Sequence, residues 1–120
     1  MKDYKNFKVW KRSHLLSLRI YKITKEYPKE ELFGVTSQIR RASSSVATNI
    51  AEGCGRKTDK EFSRFCQISA GSASEVDYLL LLSYDLGYIN EGLFKELQAE
   101  IIEIRKMLTS LIKTINRYRN

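Results

Sequence analysis

A short glycine-rich segment in the middle of the chain carries residues suited to binding an anion. Residues 53–58 read Gly-Cys-Gly-Arg-Lys-Thr, so two cations stand between a pair of glycines and a threonine that can begin a helix. Helix N-termini favour anions, and Arg56 and Lys57 would add full positive charges. The segment is not a nucleotide-binding P-loop, because that motif places a glycine directly before its lysine. A helix end at the glycines followed by a helix start at Thr58 explains the same residues.

The first thirty residues hold most of the positive charge. The chain has 21 Lys and Arg against 14 Asp and Glu, a net charge of +7, and residues 1–30 contribute nine basic and three acidic side chains. At helical spacing, six basic residues share one side of the first helix: Lys5, Lys8, Lys11, Arg12, Arg19 and Lys22. Such a ridge suits the phosphate backbone of a nucleic acid, and few aromatic residues accompany it for base stacking. The alternative is an ordinary solvated helix face.

The sequence offers little for catalysis or metal binding. His14 is the single histidine, which removes most Ser-His-Asp schemes. Cys54 and Cys66 lie twelve residues apart, with no C-x-x-C pair and no nearby histidine, so neither a zinc site nor a disulfide framework is indicated. Free thiols are typical of a reducing cytoplasm. We therefore predict a cytoplasmic protein that is not an enzyme and needs no metal or cofactor.

Apolar residues recur every three or four positions in four long segments of the chain, which predicts four helices. These helices must position the basic residues and the glycine-rich segment. Pro28 is predicted to end the first helix and Gly53 to provide a left-handed cap for the second. Thr58 and Glu61 are predicted to form a capping box at the start of the third helix, and Asn90 is predicted to cap the start of the fourth helix. The predicted helices span about residues 7–26, 33–52, 59–86 and 91–117. The predicted fold is all-α, one domain over residues 1–120, packed as an antiparallel up-down-up-down four-helix bundle.

Several large side chains lie off the predicted core stripes. On the first helix, an aromatic and histidine face lies about 100° from the core stripe. Four consecutive leucines, residues 79–82, cover the third helix on all sides, although the run is far too short to span a membrane. Polar residues of the second helix could pair with another subunit. We predict a homo-oligomer interface that contains Trp10, His14, Tyr21, Arg41, Asn49, Glu52, Leu79 and Leu82.

Several strings of residues together resemble a known family. They are GVTSQIRRA at 34–42, Ser45, NIAEG at 49–53, Glu61-Phe62, Arg64-Phe65 and GSASE at 71–75, with Val9-Trp10, Tyr21, Tyr27-Pro28 and Leu86-Gly87-Tyr88. Over about residues 7–115 the chain resembles the four-helix-bundle proteins encoded in 23S rRNA intervening sequences. The resemblance implies an antiparallel bundle that assembles as a ring-shaped homopentamer, without cofactor or demonstrated enzymatic activity. The chain is more distantly similar to the accessory protein of diversity-generating retroelements, a basic pentamer that binds reverse transcriptase and nucleic acid.

Two functions follow as expectations. The first is a non-enzymatic basic homo-oligomer that binds structured RNA, or nucleic acid generally, through phosphate contacts from the first-helix ridge and from Arg56 and Lys57. The second is a protein-interaction scaffold, or accessory subunit, for a reverse transcriptase or another RNA-processing enzyme. Both expectations include self-association.

Overall fold

Four long α-helices make up most of the chain. The computed structural model describes residues 2–118, and over that range it holds these helices, two short 3₁₀ turns and no strand. The helices are α1 (Lys8–Thr24), α2 (Val35–Cys54), α3 (Asp59–Asp85) and α4 (Glu91–Tyr118), and the turns are Tyr4–Asn6 and Lys29–Glu31. The prediction of an all-α chain with four helices is confirmed. Each observed helix begins and ends within two residues of its predicted limits, whereas the two 3₁₀ turns were not predicted.

Side-chain contacts show that neighbouring helices run antiparallel. The contacts are Ser17–Ser43 and Thr24–Arg40 between α1 and α2, Val46–Ser69 and Ser45–Ser72 between α2 and α3, Ser63–Asn116 and Asp77–Gln98 between α3 and α4, and Arg12–Glu100 and Arg19–Glu96 between α1 and α4. In every pair, the residue number rises along one helix as it falls along the other. The start of α1, the end of α2, the start of α3 and the end of α4 therefore lie at one end of the 48 Å long molecule.

One apolar core runs between the four helices. Its most deeply buried large side chains come from all four helices: Ile20, Ile39, Ile50, Leu80, Leu97, Ile101, Ile104 and Leu108. Burying a side chain of this size contributes about 1.5–3 kcal/mol. Leu79, predicted at an oligomer surface, is only 3% exposed and belongs to this core. Because α3 packs against both α2 and α4, its buried face is wide enough to include Leu79 as well as Leu80.

Helices α3 and α4 begin at the N-cap residues that the sequence predicts. The Thr58 hydroxyl accepts a hydrogen bond from the Glu61 amide at 3.2 Å, and the Asn90 side-chain oxygen accepts one from the Leu93 amide at 2.8 Å. Each bond satisfies an amide that has no partner inside its own helix. The N-caps at Thr58 and Asn90 are therefore confirmed, whereas the reciprocal bond of the predicted capping box, from the Thr58 amide to the Glu61 carboxylate, does not form within residues 2–118.

The two connections at the far end of the bundle are tied together by Glu31. Its carboxylate accepts a hydrogen bond from the Tyr88 hydroxyl at 2.6 Å and another from the Val35 amide at 3.3 Å. The hydrogen bond to Glu31 raises the pKa of Tyr88 to about 12. Tyr27, which is buried, packs its ring 5.2 Å from that of Tyr88. The start of α2 is thereby fixed against the α3–α4 connection.

The predicted left-handed cap at Gly53 is wrong. Helix α2 continues through Gly53 to Cys54, and Gly55 after it is also right-handed, with φ −85°. Within residues 2–118 a positive φ occurs at Gly87 alone, directly after α3. Gly53 instead lets α3 approach α2, because a Cβ atom at this position would lie 3.0 Å from both Phe62 Cδ1 and Phe65 Cβ.

Replacing Gly53 by alanine is therefore expected to destabilise the fold, whereas Gly71→Ala is expected to stabilise it. Both glycines are helical, where alanine is favoured by about 0.8–1 kcal/mol. At Gly71 the new methyl group would meet nothing within 4 Å, so that gain is retained. At Gly53 it would overpack the α2–α3 contact, which costs about 1–3 kcal/mol. Urea denaturation of both variants measures the difference, and a stabilised Gly53→Ala protein would contradict this explanation of Gly53.

Candidate nucleic-acid interface

Two cations of the predicted ridge on α1 are neutralised within the chain. Arg12 donates two hydrogen bonds to the Glu100 carboxylate, one from Nε at 3.0 Å and one from Nη2 at 2.6 Å. This hydrogen bonding raises the pKa of Arg12 above its ordinary value. Arg19 pairs with Glu96 at 2.7 Å. Arg12, which makes two bonds to its partner, is therefore a poor ligand for phosphate, whereas the Arg19–Glu96 pair is exposed and is screened by salt. The ridge does not run unbroken along α1.

The other predicted phosphate ligands divide between the two ends of the molecule. Lys5, Lys8 and Lys11 are exposed at the start of α1, whereas Lys22 is exposed near its end. Lys8 lies against the last part of α4, where it lines a shallow groove together with Ser110 and Thr114. Three of these four lysines therefore lie at the start of α1, of which Lys8 is close to α4, and Lys22 is separated from them.

The predicted α2–α3 connection lies at the same end as the start of α1. Arg56 pairs with Glu52 at 3.3 Å, and its guanidinium lies 4.6 Å from the centre of the Phe65 ring. Both partners are exposed, so the pair is weak and is screened by salt. Lys57 is exposed beside it. The connection thus adds to this end one loosely held cation and one cation, Lys57, that has no ion-pair partner in the described part of the chain.

A basic stripe on α4 was missed by the sequence analysis. Lys106 and Lys113 are exposed two helical turns apart, about 10.5 Å along the axis. They line a shallow cavity of about 430 Å³ whose other lining residues are Ile102, Arg105, Thr109 and Ser110. Arg105 pairs with Asp77 at 3.2 Å, so the two lysines carry the free charge of the stripe. Ser110 also lines the groove of Lys8, which makes the two sets of lysines neighbours.

Folding gathers cations from α1, α3, α4 and the α2–α3 connection at one end. The half of the bundle formed by residues 2–16, 45–72 and 105–118 contains thirteen Lys and Arg against four Asp and Glu, a net charge of +9. Two of the thirteen, Arg12 and Arg105, pair with Glu100 and Asp77 across the boundary, which leaves a net charge of +7. The other half, residues 17–44 and 73–104, contains seven against ten, a net charge of −3. We call these halves the basic end and the acidic end. A local field of this size attracts polyanions much more strongly than the net charge of the whole chain suggests.

The predicted interface residues of α1 form a groove with α2. The Trp10 and His14 rings stack at 5.1 Å with an interplanar angle of 6°, and Tyr4 packs edge-on against Trp10 at 4.7 Å. They line a groove of about 350 Å³ whose floor is the small residues of α2, with Glu52 at its rim. The structure therefore brings together three of the residues predicted for an oligomer interface.

The remaining predicted interface residues are scattered. Tyr21 is exposed farther along α1 beneath the guanidinium of Arg40, 5.0 Å from it, and Arg41 is exposed on α2. The side-chain amide of Asn49 donates to the Ser45 carbonyl and hydroxyl oxygens, so Asn49 is engaged within its own helix. Leu82 is half-buried against the core. These residues do not form a single surface with Trp10 and His14.

The structure also exposes apolar residues that the sequence analysis did not single out. Leu15 and Leu18 on α1 are each 54% exposed and extend the face that contains Tyr21. On α3 the exposed apolar residues are Ile68, Tyr78 and Leu81. Since α1 and α3 are each packed between α2 and α4, they are diagonal in the bundle. The molecule thus presents large apolar side chains on two opposite sides, which we call the α1 face and the α3 face; on α1 they alternate with Lys11 and Lys22, each one helical turn from Leu15 or Leu18.

Comparison with known proteins places the chain in a family. Residues 5–110 match the family described as 23S rRNA-intervening sequence protein. The chain belongs to this family. Its fold is similar to the crystal structure of a protein of unknown function from the S23 ribosomal protein family of Bacteroides thetaiotaomicron VPI-5482, with 28% identity and a TM-score of 0.81 over 88% of this chain and 95% of that one. No curated protein matches it in sequence.

In this member of the 23S rRNA-intervening sequence family, the two cysteines are free and buried. Burial raises the pKa of both thiols, that of Cys66 to about 12, so both are protonated at neutral pH and unreactive. Across residues 2–118 no three side chains among His, Cys, Asp and Glu are grouped closely enough to hold a metal ion. None of the helices in this range combines the length and the hydropathy needed to cross a bilayer.

Proposed function

We propose that this 23S rRNA-intervening sequence protein is a non-enzymatic, cytoplasmic homo-oligomer that binds the phosphate backbone of structured RNA through its basic end. The observation that carries the proposal is the net charge of +9 in that half of the bundle. The exposed cations come from the start of α1, the α2–α3 connection, the start of α3 and the end of α4: Lys5, Lys8, Lys11, Lys57, Lys60, Arg64, Lys106, Lys113 and Arg117.

The kind of cation supports binding to the backbone rather than to bases. Most of the exposed cations are lysines, which act as mobile point charges, whereas base reading relies largely on the fixed fork of arginine. Arg12 and Arg105, which have that fork, are already held by Glu100 and Asp77. Binding through such a surface depends on charge density and shape, so affinity should vary little with base sequence.

Self-association is supported by the two apolar faces. A ring needs a heterologous interface, in which one surface of a subunit contacts a different surface of the next. The α1 face and the α3 face are different surfaces on opposite sides of the protomer, as that arrangement requires. Cyclic symmetry places equivalent parts of all subunits at the same level along the ring axis. A homopentamer, the state implied by the family resemblance, would therefore set five basic ends side by side.

The proposal is tested by the salt dependence of binding to fragments of 23S ribosomal RNA. Each phosphate neutralised by a lysine or arginine releases counterions, so a surface with six or more contacts loses about a thousandfold or more in affinity between about 50 and 200 mM salt. Fluorescence anisotropy with a labelled fragment measures this change. An absence of binding at about 50 mM salt would contradict the proposal.

An accessory role for a reverse transcriptase or another RNA-processing enzyme is the second candidate. The observation that favours it is Phe33, which is 92% exposed in the α1–α2 connection beside Leu32, itself 49% exposed. Exposed apolar side chains of this size are suited to a protein partner. The same salt titration separates the candidates, because a scaffold that acts through Phe33 needs no affinity of its own for RNA.

A further inference from the structure

Arg40 differs from the other half-buried arginines in having no carboxylate partner among residues 2–118. Arg12, Arg19 and Arg105 pair with Glu100, Glu96 and Asp77. Arg40, on α2, instead donates to neutral oxygens, with Nε 2.8 Å from Thr24 Oγ1 and a terminal nitrogen 3.4 Å from the Tyr21 carbonyl. Its guanidinium is therefore held in place but keeps its full charge, and part of its hydrogen-bonding capacity remains free within the described structure.

Arg40 forms part of the wall of a cavity at the acidic end of the bundle. The cavity has a volume of about 360 Å³ and is lined by Thr24, Lys25, Tyr27, Pro28, Lys29, Leu32, Thr36 and Arg40. Its lining includes three cations and no acidic residue, although the surrounding half of the molecule has a net charge of −3. The volume is in the range of small-molecule sites, about 300–1,000 Å³. The cavity is thus a local positive site with apolar walls.

A second, independent observation comes from Thr36. It lies in the first turn of α2 and is 3% exposed, and its hydroxyl has no hydrogen-bond partner among residues 2–118. A buried hydroxyl without a partner is unfavourable, and native structures contain few of them. Thr36 lines the same cavity as Arg40. The hydroxyl oxygen is itself shielded from solvent, so an acceptor bound there would satisfy it once the Thr36 side chain turns about χ1 to its other helical rotamer.

We propose that this cavity binds a phosphomonoester carried on a small apolar or aromatic body. Arg40, Lys25 and Lys29 bind the phosphate, which carries a charge of about −1.5 to −2 at pH 7 and so matches three cations better than a carboxylate does. The Thr36 hydroxyl donates a hydrogen bond to a phosphate oxygen. Tyr27, Pro28 and Leu32 pack against the body. The site lies at the end opposite the proposed RNA surface and is independent of it.

Calorimetric titration of the full chain with phenyl phosphate tests the proposal. The wild-type protein is expected to bind it with a Kd of about 1 mM or tighter. Arg40→Gln is expected to weaken binding by about tenfold or more, because charge-assisted hydrogen bonds to the phosphate are lost. Arg41→Gln is the matched control, since it removes the same charge from the next residue of α2 but lies outside the cavity, and it should change the Kd by less than about twofold. Equal weakening by both variants would overturn the proposal, as would an absence of binding to the wild-type protein at about 10 mM ligand.

Thr36→Val keeps the test decisive if Arg40→Gln does not fold. Valine has the shape of threonine and removes a hydroxyl that has no partner, so the melting temperature of the free protein should not fall. Binding of phenyl phosphate should weaken by about threefold to tenfold. A Thr36→Val protein that binds as tightly as wild type would contradict the assigned role of the hydroxyl. Inorganic phosphate should bind more weakly than phenyl phosphate, and equal affinities would contradict the contacts of the apolar body.

Discussion

Replacing Lys8, Lys106 and Lys113 together by glutamine is expected to weaken binding to ribosomal RNA fragments by about tenfold to a hundredfold at about 100 mM salt. The three lysines are exposed, they are neighbours across the α1–α4 contact, and they lie at the basic end. The slope of log K against log salt should also become shallower by about two to three, because each lost phosphate contact removes nearly one unit. Fluorescence anisotropy over a series of salt concentrations measures both quantities.

The matched control for this prediction is the replacement of Lys22, Arg41 and Lys95 by glutamine. These residues are also exposed and the change in net charge is identical, but they lie at the acidic end and outside the Arg40 cavity. Little effect on affinity or slope is expected. If both triple variants lose affinity equally, binding follows the net charge of the whole chain, and the assignment of RNA to the basic end is wrong. Thermal denaturation of both variants verifies that the fold is intact.

Leu18→Glu is expected to dissociate the oligomer into 14.0 kDa chains. In the proposed ring the α1 face of each subunit is covered by the next subunit, so the variant would bury a carboxylate in every interface, at a cost that Lys22, one turn along α1, offsets only in part. In the isolated protomer Leu18 is 54% exposed, so the same change should leave the fold stable. Light scattering at micromolar concentration should give about 70 kDa for five wild-type copies and 14.0 kDa for the variant.

Thr109→Glu is the control for the oligomer, because Thr109 is exposed on α4, outside both apolar faces. It should leave the particle mass unchanged. A wild-type protein that is itself monomeric at micromolar concentration would refute the assembly. Dissociation by Thr109→Glu as complete as that by Leu18→Glu would show that the α1 and α3 faces are not the contacts.

The helices could be predicted because their signals are local. The spacing of apolar residues and the caps at Thr58 and Asn90 are contained within a few residues of each helix start. The role of Gly53 could not be predicted from local signals. A glycine near the end of a helical pattern is compatible with a helix cap and with the close approach of a neighbouring helix. The contacts with Phe62 and Phe65 of α3 assign the second role to Gly53.

The candidate site was harder to predict because charge pairing depends on register. Arg12 and Arg19 belong to a basic segment, and the glutamates that neutralise them are about 80 residues later, so only the antiparallel contact of α1 with α4 brings them together. In α4 the acidic residues Glu91, Glu96, Glu100 and Glu103 precede the basic residues Arg105, Lys106, Lys113 and Arg117. Counting the charge of the whole helix hides this order. Position along the helix, rather than total charge, was the available signal.

The separation of charge along the 48 Å axis has a consequence for how binding and assembly combine. A molecule with opposite net charges at its two ends has a permanent electric dipole, so a polyanion turns it end-on before contact is made. The α1 and α3 faces lie along the sides of the molecule and stay free while the basic end is bound. Chains bound to one RNA would therefore meet at a high effective concentration and in the same orientation. Closure of the ring would then add avidity to the contacts of each basic end.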